Sequence, residues 1–131
     1  MLVFASICPH PPIIIPTIGS KEDLAKTKKT IWGMENLRKV FEKENPEILI
    51  VVSPHGPVGF KEFSIVESEN FTGNFSMFGD FKTQLSFKSD NEIKKELIKA
   101  CEKENIVYRA YEKNELDHGT LVPLFYLLKN D

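Results

Sequence analysis

Ile48-Leu49-Ile50-Val51-Val52-Ser53-Pro54-His55-Gly56-Pro57 carries five apolar residues straight into a proline-bracketed histidine. A short unbroken apolar run bounded by turn residues reads as a strand covered on both faces. Upstream of it lies a helix. Ser20-Lys21-Glu22-Asp23 can form a capping box, and Leu24, Ile31, Met34, Leu37 and Phe41 recur at helical spacing. Pro46 ends that helix, because the residue before a proline avoids the helical region. Ahead of the helix stands a second apolar run, Leu2-Val3-Phe4-Ala5-Ser6-Ile7-Cys8, followed by Pro9-His10-Pro11-Pro12. Strand, helix, strand is a βαβ unit, which predicts two parallel strands joined by a right-handed crossover. The fold class expected is α/β, three-layer α/β/α, with a mostly parallel or mixed central sheet.

Downstream, residues 63–67 and 81–88 read as strands, the latter alternating through Phe81, Thr83, Leu85 and Phe87. Between them lies Phe71-Thr72-Gly73-Asn74-Phe75-Ser76-Met77-Phe78-Gly79. It suits a hairpin or loop over the sheet, with the wall of an aromatic pocket as the sharper alternative. Ser89-Asp90-Asn91-Glu92 offers a second capping box, for a helix through Ile93, Leu97, Ile98 and Cys101. Residues 106–110 make a further short strand. Residues 120–128 make an apolar last helix, with Pro123 expected in its first turn.

At 131 residues a single domain over 1–131 is expected. A formal charge of −2 gives no electrostatic case for nucleic acid, which demands clustered, unbalanced Lys and Arg. No apolar run is long enough to span a membrane. Met1-Leu2-Val3-Phe4-Ala5 lacks the basic start of a secretory signal. Cys8 and Cys101 form no CxxC pair, so a reduced, cytoplasmic chain is expected. Cys8 next to His10 has the makings of a nucleophile, though a buried strand-end thiol is the commoner arrangement.

All three histidines sit in proline- or glycine-flanked junctions. His10 and His55 each follow the carboxyl end of an expected strand, where open α/β sheets bind ligands. Neighbouring strands lie about 4.8 Å apart, so the two imidazoles can reach one metal ion. His118, in Leu116-Asp117-His118-Gly119, precedes a helix that follows another strand and can sit at the same edge. Taken singly, each is also an ordinary hydrogen-bonded turn histidine. Asp117 can orient His118 or complete a ligand set, with helix capping its simpler role.

Three ordered motifs carry a resemblance: Pro9-His10-Pro11-Pro12, Ser53-Pro54-His55-Gly56-Pro57, and Leu116-Asp117-His118-Gly119-Thr120-Leu121-Val122-Pro123-Leu124. With them the chain resembles the amino-terminal part of class III extradiol ring-cleavage dioxygenases, the LigB-like family, and its Memo-like relatives. The nearest likeness is to the subgroup associated with AMMECR-type domains. The resemblance implies that His10 and His55 are ligands of a non-haem Fe(II) site completed by a carboxylate. It implies that His118 stands in the substrate pocket as a catalytic group, and that a small aromatic diol and O₂ are the substrates. A homo-oligomer is expected. The family's domains are longer and carry the carboxylate ligand in their carboxy-terminal half, whereas here Lys129-Asn130-Asp131 follows closely on the third motif. The chain is therefore expected to be an incomplete LigB-like domain, inactive in isolation. Two alternatives of other classes stand beside this: a Memo-like binding module without ring cleavage, and a zinc hydrolase holding its ion with His10, His55 and His118.

Overall fold

The computed structural model describes residues 1–128; residues 129–131, which end the expected domain, lie outside that range. Among the described residues, three α-helices and four strands form in an α/β arrangement: α1 (Lys21–Glu44), β1 (Phe63–Glu67), β2 (Asn70–Phe75), β3 (Asp80–Lys88), α2 (Asn91–Lys103), β4 (Tyr108–Glu112) and α3 (His118–Leu127).

The helix boundaries follow from their caps. At the start of α1, the Asp23 amide donates to Ser20 Oγ at 3.1 Å and the Ser20 amide donates to Asp23 Oδ2 at 3.2 Å, the expected capping box. Asn45, in the left-handed region at φ 44°, ends the helix ahead of Pro46. The cap of α2 is Asp90 rather than Ser89. Its Oδ1 takes the amides of Glu92 and Ile93, both at 2.9 Å, and its charge faces the positive end of the helix dipole. Helix α3 begins two residues earlier than expected because Asp117 caps it, accepting from the Thr120 amide at 3.1 Å. Pro123 consequently falls in the second turn, not the first, where it has no N–H for the carbonyl four residues back. Burial of nearly every α3 residue outweighs that loss.

The strands depart further from expectation. β2 and β3 form an antiparallel hairpin from Asn70↔Lys88 to Asn74↔Gln84, with a bulge at Asn74/Phe75 and a 3₁₀ turn over Ser76–Phe78. β1 and β4 pair in parallel, Phe63↔Tyr108 through Glu67↔Glu112. Among the described residues this is the parallel strand pair, and it is not the one expected. Residues 2–8 and 48–52 form no strand among the described residues and enter no backbone ladder. Their outer side chains stay open, with Leu2 84% and Val52 87% exposed. The apolar pattern is that of strands, but a strand is completed only by ladder hydrogen bonds to a second backbone, and neither run makes them among the described residues.

The core lies between α1, α3 and the segment following His10. Ile14, Ile15, Met34, Phe75, Leu121, Val122 and Tyr126 form one buried cluster, with Cys8, Ile31 and Leu37 packed at its margin. The Tyr126 hydroxyl donates to the Ile14 carbonyl and so pins that segment to α3. Gly73 lets the hairpin close on the same core, since a Cβ there would lie 2.5 Å from Leu121 Cδ2. Among the described residues, no helix is long and apolar enough to cross a membrane.

Candidate functional site

The core fixes the positions of the histidine junctions. The Pro12–Ile14 turn anchors one side through buried Ile14 and Ile15, which places His10 at the rim of the core. On the opposite side, α3 begins at His118 itself. The Ser53-Pro54-His55 turn is tied to that helix start. Ser53 Oγ accepts the His55 amide at 3.2 Å and donates its own proton to Asp117 Oδ1 at 2.5 Å. Gly119 makes this approach feasible, because a Cβ there would lie 2.5 Å from Ser53 Oγ and 2.9 Å from His55 Cδ2.

All three histidines meet. His10 Nε2 and His55 Nε2 are 3.0 Å apart. The His118 ring lies 4.2 Å from that of His55 and 6.0 Å from that of His10, centroid to centroid. Phe78, at the end of the hairpin turn, sets its ring edgewise to His118 at 5.4 Å and 72°. Asp117 serves as the helix cap and, through Ser53, as the brace of the His55 turn. Burial pushes its carboxyl up, but hydrogen bonds from Ser53 and from the amides of Thr120 and Gly119 outweigh this and leave it below the usual range. Burial, and then the neighbouring His55 ring, hold the His118 imidazole below its ordinary value against the opposing pull of Asp117. At neutral pH it is therefore predominantly uncharged, with a lone pair to offer.

The donor set suits a metal in part. Imidazole nitrogens bind first-row metals at about 2.1 Å, and two of them 3.0 Å apart subtend about 90° at a common ion, as adjacent ligands of a facial site do. Among the described residues, no three His, Cys, Asp or Glu side chains are grouped to hold one ion. Cys8 packs at the margin of the core, with its Sγ 3.4 Å from Ser6 Oγ. Two surface hollows lie elsewhere, one beside Glu67, Lys94 and Glu112 and one along β2 and β3, and no histidine lines either.

Sequence reasoning passed over Ser53 and Gly119. Their signal is the hydroxyl two residues before a histidine in an X-Pro turn, and a glycine directly after a capped histidine.

A motif-bearing α/β chain with clustered histidines matches, over residues 4–131, the family described as the catalytic LigB subunit of aromatic ring-opening dioxygenase. The chain belongs to that family. Protein CA_C1420 of Clostridium acetobutylicum is 26% identical to it over 132 residues, an alignment that takes in 94% of this chain and 28% of the relative. The chain thus spans little more than a quarter of that protein's length. No solved structure matches it.

Proposed function

We propose that the chain supplies the two-histidine half of a non-haem Fe(II) site in an extradiol ring-opening dioxygenase acting on a catechol-like diol and O₂. Family membership supports the reaction class. The observation that carries the site is the 3.0 Å approach of His10 Nε2 to His55 Nε2, two imidazole nitrogens with adjacent-ligand spacing. His10 and His55 would hold the iron, with a third ligand from outside the described residues. When bound, ferrous iron offers open coordination positions and relays electrons between the diol and O₂.

The remaining roles belong to the chain's own side chains. His118, predominantly uncharged at neutral pH and tilted against the His55 ring at 4.2 Å, accepts a hydrogen bond or a proton from a diol hydroxyl. Ser53 and Asp117 hold the His55 turn against the start of α3, so the two imidazoles stay in register with His118. The buried α3 backs the site and keeps water from that side.

Anaerobic Fe(II) reconstitution of the full-length protein should give catechol-dependent O₂ uptake, lost in His10→Ala and in His55→Ala. Full activity in both variants overturns the proposal.

A further inference from the structure

We infer that Phe78 is the specificity-determining ring of the site, the apolar edge against which an aromatic substrate lays its own ring. The inference rests on the dioxygenase reading above and names a residue that reading does not use. Three imidazoles make the cluster polar, and Phe78 adds an apolar ring to it, 5.4 Å from His118 and 38% exposed. A ring held against the cluster on one side and still more than a third exposed has room to take a second ring against it.

The turn that carries Phe78 is fixed at both ends. On one side Phe75 is fully buried and packs edgewise on Phe125 at 6.2 Å. On the other side the Asp80 carboxylate takes Thr83 Oγ1 at 2.6 Å, the amides of Lys82 and Thr83, and Thr17 Oγ1 at 2.5 Å. Thr17 belongs to the segment that follows His10, so the turn and the His10 side of the site are clasped together. Within the turn, the Ser76 amide donates to Asn74 Oδ1 at 2.9 Å and the Gly79 amide to the Ser76 carbonyl at 3.0 Å. Gly79 sits at φ 89°, a conformation glycine adopts without strain. Such anchoring exceeds what a covering loop requires and suits a wall of preset position.

The test compares two chelators of iron, catechol with an aromatic ring and acetohydroxamate without one, titrated calorimetrically and anaerobically into the Fe(II)-reconstituted full-length protein. Phe78→Leu should weaken catechol by about tenfold, as loss of one aromatic pair does, and leave acetohydroxamate within about twofold. Phe78→Tyr should keep catechol near wild type. If Phe78→Leu lowers the unfolding midpoint, Phe78→Met fills the same space and gives the same ratio. Equal weakening of both chelators, or of neither, overturns the inference and leaves the proposed function standing. Wild-type protein that binds acetohydroxamate but not catechol, or binds neither, overturns the proposed function and the inference with it.

Discussion

Ile14 and Ile15 are sealed between α1 and α3, while Ile50 and Val52, no less apolar, lie open to solvent. The two pairs share their chemistry and differ only in what comes to cover them. The first closes a 3₁₀ turn that drops it onto two helices; the second extends along a backbone that makes no ladder hydrogen bonds among the described residues. Apolar pattern therefore states a demand for burial, and the neighbouring elements decide whether it is met. The histidine cluster stands on the seam between the two regimes, with His10 between the open Ile7 and the buried Ile14.

Substitutions on the two sides should separate that comparison by size of effect. Phe75→Ala, in the covered region, should cost about 3–5 kcal/mol in urea unfolding. Asp80→Asn should cost about 1.5–3 kcal/mol, since charged hydrogen bonds to two hydroxyls and two amides are weakened. Its effect should depend on pH in a definite direction. Hydrogen bonds, chiefly from Thr17 and Thr83, hold the Asp80 carboxyl far below its ordinary 3.8, so its stabilisation is complete above that pH and is lost as pH falls beneath it. The acid limb of the wild-type stability profile should accordingly be steeper than that of Asp80→Asn. Gly119→Ala should cost about 1–3 kcal/mol by overpacking against Ser53 and His55, and should perturb the imidazole resonances of His55 by NMR. Val52→Ser, in the open region, should change stability by less than about 0.5 kcal/mol. A cost for Val52→Ser as large as that for Phe75→Ala would break the comparison.

The sequence disclosed those parts of the fold whose cause is local. The capping box at Ser20, the stop at Pro46 and the alternation of β3 depend on residues a few positions apart. The first two are found where expected, and the alternation holds at Thr83, Leu85 and Phe87 but fails at Phe81, which is exposed. Strand pairing depends on distant partners. Hence the parallel pair among the described residues is β1 with β4, while the two apolar runs, read as strands from their local composition alone, form none. The convergence of His10, His55 and His118 was legible because each stands at a backbone-restricted junction. The brace from Ser53 to Asp117 was not, because it spans 64 residues.

The most direct measurement is iron content by elemental analysis, after anaerobic Fe(II) loading and desalting, of the full-length protein and its His10→Ala, His55→Ala and His118→Ala variants. The account predicts that the first two lose the metal while His118→Ala keeps it and loses ring opening. Retention of iron by His10→Ala or His55→Ala, or its loss from His118→Ala as complete as from those two, would contradict it.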